Sequence, residues 1–153
     1  IRRRIPDVAL RTSIIVGFPG ETEQDFANLC EFIKEMKFDR LGVFAYSQEE
    51  NTPASRLPDQ LPEEVKEYRA AALMELQREI SREVIGKRIG QELDVLIERY
   101  DGRNDVYIGR TQYDAPDVDG EVFVTNCKAG IGEVQKVRIT HSFEFDLSGE
   151  GIA

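Results

Sequence analysis

A chain of 153 residues with 41% hydrophobic and 32% charged positions can bury a core and keep a soluble surface, as one medium domain or two small ones. No apolar run approaches ~20 residues, which excludes a membrane-spanning helix. The formal net charge of −9 argues against a surface built to neutralise phosphates, which needs the opposite sign. Residues 1–86 carry twelve basic and sixteen acidic groups, and residues 87–153 carry eight and thirteen, so the acidic excess is spread along the chain.

The chain opens on Ile1 rather than methionine, with no secretory signal, and reads as the C-terminal part of a longer protein. Arg2-Arg3-Arg4 before Ile5-Pro6 is a solvated basic triplet, too little for a nucleic-acid site. The β-branched run Ile14-Ile15-Val16 predicts a buried strand, which ends at Gly17-Phe18-Pro19-Gly20. Thr22 as N-cap, with Glu23 and Asp25 in the first turn, then starts a helix. Its apolar face is Phe26, Leu29, Ile33 and Met36, at spacings of three and four up to about Lys37. Leu41 to Tyr46 is a second strand, and the order strand, helix, strand predicts a parallel crossover. In α/β folds a ligand sits at the C-terminal strand edge, here against Gly17 to Gly20.

Ser47 to Gln60 is polar and holds two prolines, so it reads as a site loop or a linker. Pro62 opens a long helix to about Val84, with Val65, Tyr68, Ala72, Leu76, Ile80 and Val84 predicted as its buried stripe, widened by Leu73. The texture changes near Gly86 and Gly90, where a domain boundary is placed. Beyond it the period becomes two. Strands are predicted from Gln91, over Val106–Thr111, Glu121–Thr125 and Glu133–Thr140, and through Phe143, Phe145 and Leu147. Five short strands in about sixty residues suggest a small antiparallel barrel of the oligonucleotide/oligosaccharide-binding kind.

Cys30 and Cys127 stand far apart, without Cys or His partners at metal spacing, and read as free thiols of a cytoplasmic protein that ligate no metal here. His141 has no acid or nucleophile at suggestive spacing and reads as structural. Phosphate-loop and dinucleotide signatures are missing, and Glu21 at the helix start opposes an anion there.

The stretches IIVGFPGETEQDF and FAYSQEENTPASRLPDQLPEEVKE, with YIGRTQYDAPDVDGEVFV and FEFDLSGE, resemble the radical S-adenosylmethionine methylthiotransferases over nearly the whole chain. The resemblance implies that residues 1–86 are the C-terminal part of that family's partial α/β barrel. Residues 87–153 would form its TRAM domain, the five-stranded antiparallel barrel. The DAPDVDG stretch is similar to the branch that methylthiolates the β-carbon of an aspartate in a small-subunit ribosomal protein. Two alternatives stay open: the branch that modifies tRNA, and a non-catalytic TRAM binding module.

The family uses S-adenosylmethionine and two [4Fe-4S] clusters in the full-length protein. The cluster cysteines have no counterpart here, so this segment is expected to be inactive alone. The adenosine side of the cofactor site can be carried over. Ile15 and Gly17 match the last two marked positions of the family's G-x-I-x-G strand, while Ser13 stands where its first glycine would be. Phe18 follows in the turn, and Phe44, Tyr46 and Ser47 end the next strand. A neutral purine asks for an apolar slot and backbone hydrogen bonds rather than charge. On the barrel, Asp114, Asp117 and Asp119 crowd one loop, with Arg110 and Tyr113 beside it. Acidic charge there suits a basic ribosomal protein and predicts weak or no nucleic-acid binding.

Overall fold

The computed structural model describes residues 1–152, in two compact units: Leu10–Ile80, and Ile1–Ala9 together with Ser81 onward.

In the first unit, β1 (Arg11–Val16) and β2 (Arg40–Ala45) form a parallel two-stranded sheet that pairs Ile15 with Phe44. Between them runs α1 (Glu23–Met36). Thr22 and Asp25 close a capping box: the Asp25 amide donates to Thr22 Oγ1 at 3.2 Å and the Thr22 amide donates to Asp25 Oδ2 at 3.0 Å. Lys37, in the left-handed region at φ 46°, ends the helix, and the Asp39 carboxylate then accepts the Leu10 amide at 2.8 Å. Val16, Ile33, Phe38, Leu41 and Leu73 are buried.

A short 3-10 turn (Ala54–Arg56) interrupts the loop after β2, and α2 (Glu63–Gly86) follows. The stripe predicted for α2 is rotated. Leu73 and Ile80 are buried as predicted, but Tyr68 is exposed, and the residues buried within this unit are Lys66, Arg69, Leu73, Gln77 and Ile80. Three of these are polar with specific partners; Gln77 Nε2, for example, donates to the Phe38 carbonyl at 3.0 Å. Periodicity places such residues on the wrong face because it scores them as solvent-seeking.

The second unit is a closed barrel of β3 (Glu92–Asp101), β4 (Val106–Thr111), β5 (Val122–Thr125), β6 (Val134–Ser142) and β7 (Leu147–Gly151), in the order β3-β4-β5-β7-β6. Val95, Ile97, Val122, Val124, Val137, Ile139 and Leu147 fill it, two residues apart along each strand, with Ile85 packed against them. Irregular register after Ile97 and after Ile139 bends β3 and β6.

Five strands are present, as expected, but two details differ. Residues 143–146 are not strand. The Phe143 amide donates to the Asp146 carbonyl at 2.8 Å, so the apolar alternation there belongs to a tight connection, and β7 lies further on. The barrel is also not wholly antiparallel. β5 and β7 pair in parallel, because the chain crosses from β6 back to the free edge of β5 and closes the ring.

Candidate functional site

β1 delivers its end into the turn Gly17–Gly20. Gly17 and Gly20 have φ of 76° and 85°, a region that L side chains enter at a cost of about 1–2 kcal/mol. A Cβ at Gly17 would lie 2.5 Å from Lys66 Cγ, so glycine is also required by space. The Glu21 amide donates to the Phe18 carbonyl at 2.9 Å, and the Gly20 amide donates to the Asp59 carbonyl at 3.0 Å. The second bond ties the polar loop after β2 to the turn. That loop is itself braced. Gln48 Nε2 donates to the Ser55 carbonyl at 2.9 Å, and Gln60 Nε2 donates to the Ala54 and Leu57 carbonyls.

One face of the two-stranded sheet is bare. Ile15 and Phe44, register partners, are 59% and 58% exposed, and the Phe44 ring lies across Gly42 beside Ser13. Phe18, also exposed, meets the Tyr46 ring edge-on at 5.3 Å between centroids. Tyr46 is buried, and its hydroxyl has no hydrogen-bond partner among the described residues. An uncovered apolar surface, an orphaned hydroxyl and a glycine turn therefore meet at the C-terminal end of two parallel strands. That combination suits a flat, neutral ring system that needs stacking area and one or two hydrogen bonds. Ser47 is exposed just past this edge, its hydroxyl donating to Glu49 Oε1 at 2.8 Å.

Behind the turn lies a network that hydropathy did not reveal. Arg69 Nη1 donates to Glu21 Oε1 at 2.6 Å and to the Glu21 carbonyl at 3.0 Å, and Nη2 donates to Glu23 Oε1. The Gly17 amide donates to Glu21 Oε1 at 3.1 Å. Burial opposes the Arg69 charge, but its hydrogen bonds to Glu23 and Glu21 outweigh that and hold its pKa above the ordinary value. Lys66 Nζ pairs with Glu63 at 3.0 Å and stands 5.5 Å from the Tyr46 ring centre. The signal available in the sequence was the spacing of Lys66, Arg69, Leu73 and Gln77, itself one helical face.

No group of three or more His, Cys, Asp or Glu among the described residues could hold a metal ion. Burial pushes the Cys30 thiol up, away from the reactive thiolate.

On the barrel, the three aspartates of the β4–β5 loop divide. Asp114 is buried, and its Oδ2 accepts from the Thr111 hydroxyl at 2.6 Å and the Thr111 amide at 3.2 Å. Asp119 Oδ2 accepts the Ala115 amide at 2.6 Å. Both carboxylates shape the loop. Asp117, at φ 60°, is exposed beside the exposed Val118. The Tyr113 ring is covered by the Arg88 guanidinium at 4.1 Å, and Arg110 Nε pairs with Glu98 at 2.8 Å. Other cations of the outer surface are paired in the same way: Lys136 with Asp94, Arg138 with Glu92, and Arg99 with Glu121.

Residues 89–152 match the TRAM domain family model. The chain is 50% identical over 152 residues to the ribosomal protein uS12 methylthiotransferase RimO of Desulforamulus reducens, covering 98% of this chain and 34% of that protein. It is 47% identical over 154 residues to RimO of Geobacter sulfurreducens, covering 100% and 34%. Against RimO of Clostridioides difficile it is 52% identical over 151 residues, covering 98% and 34%. The chain thus spans about a third of the length of the curated relatives it matches.

Proposed function

We infer that this chain, alike along its whole length to the uS12 methylthiotransferases, is the C-terminal part of one of them. The enzyme would add a methylthio group to the β-carbon of an aspartate of ribosomal protein uS12 in the cytoplasm. The carrying observation is 50% identity over 152 residues, a span that takes in both the bare-faced strand pair and the TRAM domain.

On this reading Ile15, Gly17, Phe18, Phe44, Tyr46 and Ser47 hold the nucleoside of S-adenosylmethionine. Ile15, Phe18 and Phe44 offer apolar area, the turn offers backbone groups, and the Tyr46 hydroxyl finds the partner it otherwise lacks. S-adenosylmethionine held there would, together with a [4Fe-4S] cluster, supply radical chemistry for activating the substrate carbon. The ligands of the two clusters would come from outside this chain, which alone would not catalyse.

The barrel would recruit the basic substrate protein. Lys136, Arg138, Arg99 and Arg110 each have a carboxylate partner, which leaves them poorly placed to neutralise a phosphate backbone. The β4–β5 loop, with exposed Asp117 and Val118 supported by Asp114, Asp119, Arg110 and Tyr113, is the docking element of this reading.

The test uses the full-length protein with reconstituted clusters and S-adenosylmethionine. Offered uS12 and tRNA together, it is expected to place a methylthio group on a uS12 aspartate, located by peptide mass spectrometry. A methylthiolated tRNA with unmodified uS12 would replace this reading with the tRNA-modifying one.

A further inference from the structure

A buried ion pair is weak evidence for stability, because desolvation consumes much of its attraction. The one behind the glycine turn therefore asks for another explanation. Arg69, whose side chain is 3% exposed, reaches from α2 to three acceptors on the segment that follows the turn: Glu21 Oε1, the Glu21 carbonyl and Glu23 Oε1. Its guanidinium also stands 5.4 Å from the centre of the Phe26 ring. The same Glu21 Oε1 that accepts from Arg69 accepts the Gly17 amide. One carboxylate oxygen thus joins a helix-borne cation to the first residue of the turn.

These bonds commit the turn's geometry. The Gly17 amide, the Gly20 amide and the Phe18 carbonyl are all engaged inside the protein. The Phe18 amide and the Gly17 carbonyl take part in none of them. Lys66 closes the space behind Gly17, so the turn cannot relax toward α2. What the network holds still is the orientation of Phe18 and the backbone groups beside it, next to the bare Ile15–Phe44 face. A fixed fork reaching two carboxylates and a carbonyl is work for arginine; a lysine ammonium in its place is a point charge on a flexible four-carbon stem.

We propose that Arg69 is a positioning residue for cofactor binding, acting through Glu21 to fix the Gly17–Gly20 turn in its binding geometry. This rests on the reading of that turn as the nucleoside site. Arg69 touches no cofactor on this account; it sets the pose of groups that do.

The experiment measures binding of S-adenosylhomocysteine, which cannot be cleaved, to the cluster-loaded full-length protein by calorimetry. Arg69→Lys and Glu21→Gln are compared with Phe44→Asp on the bare face and with Arg78→Gln, an exposed position of α2. Circular dichroism and thermal melting establish which variants fold. Folded Arg69→Lys and Glu21→Gln are expected to bind about tenfold more weakly, and their double variant no more than either alone. In the cleavage reaction, KM for S-adenosylmethionine should rise by a similar factor with kcat changed less. A structural role alone would lower the melting temperature and leave both binding readouts in place.

Wild-type affinity in folded Glu21→Gln or Arg69→Lys, with binding lost in Phe44→Asp, overturns the proposal and keeps the site. Wild-type affinity in Phe44→Asp as well, or no binding by the parent protein, overturns the site and the proposal together. Should Arg69→Lys fail to fold, Glu21→Gln alone decides, since it retains an acceptor for the Gly17 amide while losing the charge that Arg69 pairs with.

Discussion

Gly17 and Gly20 occupy the same turn and the same region of backbone space, yet they answer to different constraints. A Cβ at Gly20 meets nothing within 4 Å, so Gly20→Ala pays only the left-handed backbone penalty, about 1–2 kcal/mol. At Gly17 the added Cβ also strikes Lys66, whose backbone Cα is 3.3 Å away and whose Nζ is tied to Glu63. Gly17→Ala is therefore expected to be more destabilising than Gly20→Ala by roughly 1–3 kcal/mol, the usual range for overpacking. Urea unfolding midpoints of the two variants check it; equal losses would mean that Lys66 moves aside freely. The need for glycine here was legible in the sequence, because a strand that ends in Gly-Phe-Pro-Gly must turn sharply. The exposure of Ile15 and Phe44 was not. Ile15 read as part of a buried strand from composition, whereas the two-stranded sheet leaves it and its register partner Phe44 exposed on one face. The role of Arg69 was hidden for the converse reason: spacing puts it on one helical face, but the partners that let its charge be buried lie far away in sequence, 48 residues for Glu21 and Arg69.

At the scale of the element, local rules carried far and long-range pairing did not. The capping box at Thr22 and Asp25, the α1 stripe ending at Ile33 and Met36, and the span of β4 follow from propensity and period. The misplaced fifth strand shows the limit. Phe143, Phe145 and Leu147 alternate with acids, but strand identity is decided by the partner edge. β7 pairs with β5 and β6 through Leu147–Gly151, where Gly149 lets it pass Arg138; a Cβ there would lie 2.4 Å from that carbonyl oxygen. Ion pairs on the outer surface give the barrel an acid-sensitive component. The hydrogen bond from Arg99 holds the Glu121 carboxyl below the ordinary carboxylate value, against a smaller opposing effect of burial. A folded-state pKa lower than the unfolded one stabilises above the unfolded value and loses that contribution as pH falls through the folded value. Thermal melts are thus expected to show Glu121→Gln less stable than the parent at neutral pH and closer to it below about pH 4. Parallel curves over the whole acid limb would mean that the Arg99–Glu121 pair contributes nothing.

At the scale of the whole molecule, charge is divided between roles that a count cannot separate. The sequence shows three aspartates in one loop; the structure assigns Asp114 and Asp119 to holding the loop and leaves Asp117 at the surface. Substituting all three would therefore mix a change of shape with a change of charge. Asp117→Asn isolates the charge. If the loop meets a basic partner, association of the full-length protein with uS12 should slow by roughly twofold to fivefold at low salt, with dissociation nearly unchanged, as for a charge at an interface rim. The difference should vanish as salt shortens the screening length to a few ångströms. Asp114→Asn should behave otherwise. It weakens the anchoring of the loop at Thr111, so its effect on binding persists at high salt and is matched by a lower melting temperature. Stopped-flow association at several salt concentrations distinguishes the two patterns. An Asp117→Asn protein that associates like the parent at every salt concentration would remove this loop from the docking surface and leave the acidic excess as a matter of solubility.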